Sequence, residues 1–295
     1  MASPNHVSSG NIVVGVDGSP STEYAVVWAA TEARLQRRGL TLVHVQKRVS
    51  ANELAWLSAA GIPPRQVNDQ IWVDAEQVLE PARSLADDDG TETSIETVVA
   101  SGDPRNVLLE LGRTASMTVV GTRGHGRVAG LLLGSVSGAL VRHAEAPVVV
   151  ARPQRELARG ILIAADGSEE SMPLVEHAYR EASWHQVPVT VLHCLWDGLG
   201  APRRWTEVSK ADPAGEQARV RIAETLAGMA EKFPDVEADI RVTRGAIDAC
   251  LVDLSAQHQL LVIGRPPRPL LVRLTLSGLT TPVAEHAHSP VLVVP

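Results

Sequence analysis

Short apolar runs rich in valine and isoleucine alternate along the chain with longer stretches in which apolar residues recur at helical spacing. Such alternation is the signature of βαβ units, in which crossover helices bring successive strands parallel. In the first half the runs predict strands near residues 12–16, 41–46, 94–100, 118–120 and 148–151. In the second they predict strands near 160–165, 189–193, 237–242, 260–263 and 291–294. The last run of each half, "VVVA" and "VLVV", has no polar alternation, so both faces of those strands are expected to be covered. Ser19-Pro20 predicts the start of the first helix, since the serine oxygen can accept a free amide and proline at that position gives up no helical hydrogen bond.

The two halves are copies of one another. Asp17-Gly18-Ser19 after the first strand recurs as Asp166-Gly167-Ser168, "VVGTRG" recurs as "VIGRPP", and "VRHAEAPVVVA" as "AEHAHSPVLVV". A length of 295 residues suits two domains, and the polar, proline-bearing stretch 152–158 is the joint. The expected fold is therefore α/β: two tandem doubly wound parallel five-stranded sheets, with strand order 3-2-1-4-5. The expected domains are residues 1–152 and 153–295.

An apolar content of 44% can fill two cores. A net charge of −7 with no Lys/Arg block argues against a nucleic-acid partner, because phosphate backbones are gripped by basic stripes. The first eleven residues are polar, and no apolar run approaches the roughly 18 residues of a membrane span. No membrane partner and a cytoplasmic location are the resulting expectations. Cys194 and Cys250 stand far apart from any C-x-x-C or Cys/His spacing and are expected to be buried, reduced thiols.

Candidate chemistry gathers in "GTRGHGRVAGLLLGSVS", residues 121–137. Thirteen residues separate Gly121 from the helix expected at Ser135, where strand-to-helix loops usually have about 2–6. In an open parallel sheet, ligands bind beyond the carboxyl ends of the strands where the strand order reverses, and Asp17 and Gly121 would flank that crevice. Gly121, Gly124 and Gly126 allow successive amides to converge on an anion. Gly134 and Ser135 lead into a helix N-terminus, where unpaired amides favour phosphate, and Ser137 adds a hydroxyl. Arg123 and Arg127 offer charge or are solvated loop arginines. A P-loop is excluded, because no lysine occurs between Lys47 and Lys210. "GHGRVA" has the form of a dinucleotide fingerprint but follows the fourth strand rather than the first.

The pattern G-x2-G-x9-G-S at Gly121, Gly124, Gly134 and Ser135, with "VGVDGSPS", His44-Val45, "SGDP" at Ser101 and "APVVVA", resembles the universal stress protein family in its tandem form, over nearly the whole chain. The resemblance implies ATP binding, with Gly15 and Asp17 at the adenosine end and Val45 meeting adenine through its backbone. It implies that the loop holds the phosphates through Gly121, Gly124, Gly126, Arg127, Gly134, Ser135 and Ser137. A flavodoxin-like or Rossmann-like domain and a homodimer are further implications; Asp17 is a candidate to hold Mg²⁺ where adenosine does not occupy it, and cyclic AMP is an alternative ligand.

The second half departs from the pattern. Pro266, Pro267 and Pro269 bring no amide hydrogen, Ser277 and Gly278 replace Gly134 and Ser135, and Ala164 replaces Gly15, although Asp166 remains. One nucleotide site per chain, in the first half, is the expectation. The function expected is a nucleotide-dependent stress-response protein; the alternatives are a slow ATPase or nucleotidyl transferase on the same fold and an interaction module that binds no nucleotide. Hydrolysis needs a positioned base and a held metal, and the loop offers only His125 as a base. Trp56, Leu57, Pro63 and Pro64 after the second strand, and Trp196 and Trp205 in the other half, are expected to pack on their own domains.

Overall fold

A computed structural model describes residues 7–46, 49–87, 93–124, 133–154, 157–195, 204–265 and 280–295. The chain divides into two units, Met1–Ala151 and Arg152–Pro295.

In the first unit β1 (Ile12–Gly15), β2 (Leu40–Gln46), β3 (Ile95–Ser101), β4 (Met117–Gly121) and β5 (Val148–Ala151) form a parallel sheet in the order β3-β2-β1-β4-β5. Between them run α1 (Pro20–Gln36), α2 (Ala51–Ala59), α3 (Pro64–Ala86), α4 (Pro104–Gly112) and α5 (Ser135–His143). Alternation along the strands divides the apolar side chains between two faces. Val13, Val43, Val120 and Val148 cluster with Leu108 and Leu111 of α4 and Leu140 and Ala144 of α5. Burying each of the larger of these side chains stabilises the unit by roughly 1.5–3 kcal/mol. α1 and α3 pack together on the strands as well, through Ala25, Ala29, Ala30 and Ala33 on α1 and Ala75, Leu79 and Ala82 on α3, all buried. Alanine at these positions lets the helices lie close to the sheet.

The second unit repeats the plan with β6 (Ile161–Ala164), α6 (Met172–His185), β7 (Val189–Leu195), β8 (Thr206–Glu207), α7 (Pro213–Lys232), β9 (Ala238–Arg244), α8 (Ile247–Ser255), β10 (Leu260–Gly264), α9 (Thr280–His286) and β11 (Val291–Val294). Its strand order is β11-β10-β6-β7-β9-β8. The expected five parallel strands are joined by a sixth, β8, a two-residue antiparallel edge strand that the sequence pattern does not reveal. It is held from outside itself: Arg241 Nε lies 3.1 Å from Glu207 Oε1, and the neighbouring Trp205 Nε1 donates to Asp253 at 2.9 Å.

The repeat extends to backbone detail. Among the described residues the non-glycine positions with positive φ are Arg37 (53°) and Gln186 (54°), each closing the first helix of its unit in the left-handed conformation. The first helices start differently. α1 begins at Pro20 directly after Ser19, whereas a 3-10 turn, Glu169–Ser171, precedes α6. Pro173 explains the delay: it has no amide to bond back to Glu169, so the α-helix begins where proline falls in its first turn.

The tryptophans divide. Trp205 is partly buried, while Trp56 on α2 is 71% exposed, contrary to expectation; α2 is stabilised by its own capping box, Ser50 with Glu53, and leaves that ring to solvent. Trp196 lies outside the described residues. Cys250 is buried as expected, but Cys194 is only partly so.

Candidate functional site

The carboxyl end of β1 turns into α1 through Asp17-Gly18-Ser19. Gly18 takes φ 79°, a left-handed conformation that admits glycine freely, and Gly167 repeats it at 77°. Asp17 Oδ1 accepts from the Ser19 amide at 3.0 Å, the Ser19 hydroxyl at 2.6 Å and the Thr22 hydroxyl at 2.7 Å. Ser19 does occupy the N-cap position with Pro20 after it, but its hydroxyl does not cap α1; it donates to Asp17 instead. His44 secures the adjoining strand end. Its Nδ1 lies 2.8 Å from the Val16 carbonyl, which can only accept, so Nδ1 carries the proton.

The glycine loop descends onto this turn. The Arg123 carbonyl accepts from Ser19 Oγ at 3.2 Å and from Ser21 Oγ. A Cβ on Gly121 would stand 2.6 Å from the Ser21 carbonyl oxygen, and one on Gly124 would stand 2.2 Å from Asp17 Oδ2. Glycine at Gly121 is therefore required by close approach of backbone, and a side chain at Gly124 would have to displace the Asp17 carboxylate. At the other end of the loop, the Gly134 amide and the Ser137 hydroxyl both donate to the Thr122 carbonyl, at 2.8 and 3.0 Å. Gly15 likewise makes room, since its Cβ would meet Leu108 Cδ1 at 2.9 Å. His125, Gly126 and Arg127 lie outside the described residues.

A cavity of about 930 Å³ opens beside this knot, lined by Val45, Gly102, Asp103, Pro104, Arg105, Asn106, Val107, Ser135 and Val136. It brings together the end of β2 and the first turns of α4 and α5, so two helix N-termini face one space. Of the expected site residues it contains Val45 and Ser135; Gly15, Asp17, Gly121, Gly124, Gly134 and Ser137 do not line it. The first turn of α4 contributes further wall: Gly102, Asp103 and Pro104 of the "SGDP" motif, which the sequence reading quoted without assigning them to the site, and Arg105, which it did not name. Asp103 caps α4, accepting from the Arg105 amide at 2.9 Å, and also accepts from Arg105 Nε at 2.9 and 3.1 Å. The Arg105 hydrogen bonds hold the Asp103 carboxyl down at about 2. The sequence signal was available, because Asp-Pro after a strand is an N-cap followed by a first-turn proline.

The second unit keeps the turn. Asp166 Oδ1 accepts from the Ser168 amide at 3.0 Å and hydroxyl at 2.6 Å, and His193 Nδ1 lies 3.1 Å from the Ala165 carbonyl. Burial pushes the Asp166 carboxyl up, but the Ser168 hydroxyl and amide, its own amide and the Ser171 hydroxyl outweigh that and leave it below its ordinary value. Around Gly264 the packing is looser than around Gly121, the nearest atom to an added Cβ being Leu174 Cδ2 at 3.3 Å. Pro266, Pro267, Pro269, Ser277 and Gly278 lie outside the described residues.

The description "Universal stress protein family" belongs to the profile that matches residues 9–152 and again residues 158–295. The chain belongs to the universal stress protein family. A universal stress protein of Mycolicibacterium smegmatis is 32% identical over 297 residues, 96% of each chain. One of Mycobacterium tuberculosis is 33% identical over 309 residues, 97% of this chain and 98% of the relative. The crystal structure of a universal stress protein from Archaeoglobus fulgidus matches with a TM-score of 0.68 at 17% identity over 96% of each chain, a likeness of fold. The two universal stress protein domains are thus a tandem pair, and no helix among their described residues is long and apolar enough to cross a membrane.

Proposed function

We propose that the first domain binds an adenine nucleotide, ATP foremost, and that the chain is a nucleotide-dependent regulatory protein of the stress response. The observation that carries the reading is the cavity walled by Val45, Ser135 and the first turn of α4. Its volume of about 930 Å³ falls within the roughly 300–1,000 Å³ usual for small-molecule sites. It lies beyond the carboxyl ends of the strands, where open parallel sheets take their ligands. Amides at the start of α5 favour a phosphate-bearing ligand, and Val45 on the wall marks the place for the base.

In this reading Asp17 is the latch that positions the loop, through the three bonds on its Oδ1 and its approach to Gly124. Its retention as Asp166, bonded alike in the domain whose loop is rich in proline, supports a role in the turn itself. Gly126 and Arg127 belong to the phosphate-facing part of the loop, with Mg²⁺ as the companion of the phosphates. The second domain, with its altered loop, is a packing partner without a triphosphate site. A homodimer in the cytoplasm completes the reading.

Calorimetric titration of the purified chain with ATP tests it. Saturation near one equivalent per chain is expected, with Gly124→Pro binding more weakly because an amide is lost and Asp17 is displaced. Two equivalents, or undiminished binding by the variant, overturns the assignment.

A further inference from the structure

Among the described residues lining the cavity Arg105 alone carries a positive side chain, and its guanidinium is held by Asp103 two residues away. The pair stands in the open, with 52% of the arginine side chain and 35% of the aspartate side chain exposed. Solvent and salt screen so exposed a pair, which leaves the guanidinium open to a competing anion. A guanidinium fork that fits a carboxylate fits a phosphate equally well. Asp103, moreover, has a second tie: it accepts the Arg105 amide as the N-cap of α4, so the carboxylate stays in place when the guanidinium leaves it.

Resting on the nucleotide reading above, we propose that Arg105 exchanges Asp103 for a phosphate of the bound nucleotide, making Arg105 the phosphate clamp of the site and Asp103 its competitor. The loop glycines offer amides, and a clamp on α4 adds to them a side-chain charge that a nucleotide can use and a nucleoside cannot. Asp103 then sets the affinity by holding the clamp back: a ligand without a phosphate gains nothing from it, and one with a phosphate must displace a carboxylate first.

The full chain, as wild type, Arg105→Gln and Asp103→Asn, is titrated with ATP, adenosine and inorganic tripolyphosphate. Loss of a charged hydrogen bond predicts that Arg105→Gln weakens ATP roughly tenfold or more while adenosine binds as before. Asparagine still caps α4 but no longer competes as an anion, so Asp103→Asn is expected to tighten ATP severalfold. A structural role for the pair predicts instead that both variants weaken ATP alike, and that result overturns the clamp. So does an Arg105→Gln variant that keeps its ATP affinity or loses adenosine to the same degree. Wild type that binds neither ATP nor adenosine overturns the nucleotide reading and the clamp with it. Tripolyphosphate binding as tightly as ATP, and as sensitive to Arg105→Gln, overturns the nucleotide reading while upholding the clamp.

Discussion

Replacing Gly121 by alanine, with Gly264→Ala as its counterpart, isolates what the first domain's close packing requires. At Gly121 the new methyl would stand 2.5 Å from Ser21 Oγ, 2.6 Å from Ser21 O and 2.8 Å from Ser21 C, so the backbone of α1 must retreat from β4. At Gly264 the nearest atom is Leu174 Cδ2 at 3.3 Å, the end of a partly exposed side chain that can give way. Forcing a methyl into a packed site costs about 1–3 kcal/mol. Neither glycine has positive φ, so alanine also returns about 0.4–1 kcal/mol by restricting the unfolded chain. The balance is a loss of about 1–2 kcal/mol for Gly121→Ala and almost none for Gly264→Ala. At about 2–4 °C per kcal/mol for a domain of this size, scanning calorimetry should show Gly121→Ala melting about 2–8 °C lower and Gly264→Ala unchanged or slightly higher. Equal shifts in the two variants, or a larger loss at Gly264, would refute the packing argument.

Three other outcomes are expected. Burial holds the His258 imidazole below its ordinary value, against the raising effect of the Leu254 carbonyl, while its nitrogens bond Leu254 O at 2.8 Å and Thr190 Oγ1 at 3.0 Å. His177 and His193 are lowered by burial too, so the native state favours the neutral rings. Their stabilisation is complete above the unfolded-state value near 6.5 and is lost as pH falls below it. Urea unfolding between pH 7.5 and 5.5 should show that decline, less steep in His258→Asn; a flat profile contradicts it. Arg152 donates to the carbonyls of Ala284, Glu285 and Ser289, and burial lowers its guanidinium to about 10. Arg152→Met should cost about 1–3 kcal/mol in urea unfolding, since buried carbonyls lose their donor, and an unchanged midpoint counts against that role. Finally, burial pushes the Cys250 thiol up to about 12, whereas Cys194 is partly exposed. A thiol reagent should therefore titrate one group in the native chain and two after unfolding; two fast thiols contradict the burial.

The strands were legible because runs such as "IVVG" and "LLVIG" are apolar on both faces and end at glycine. The duplication was legible because Asp-Gly-Ser makes the same turn twice. What escaped depends on residues distant in sequence. β8 exists through its pairing with β9, and two residues carry no periodicity. Ser19 was expected to cap its own helix, yet its hydroxyl serves Asp17 and a carbonyl 104 residues away. Of the site, Val45 and Ser135 line the cavity; Asp103 was legible only as part of the "SGDP" motif, and Arg105 beside it resembles any residue of an ordinary helix start. Gly121 and Gly124 were read as making room for an anion, but the nearest claimants to that room are Ser21 and Asp17.

The Thr122 carbonyl, receiving both the Gly134 amide and the Ser137 hydroxyl, fastens the stem of the glycine loop at a single atom. Beyond Gly124, which is docked on Asp17, substitutions in the segment up to residue 132 leave that tie in place. On the nucleotide reading proposed above, ligand preference can then be altered in that segment without a matching loss of domain stability.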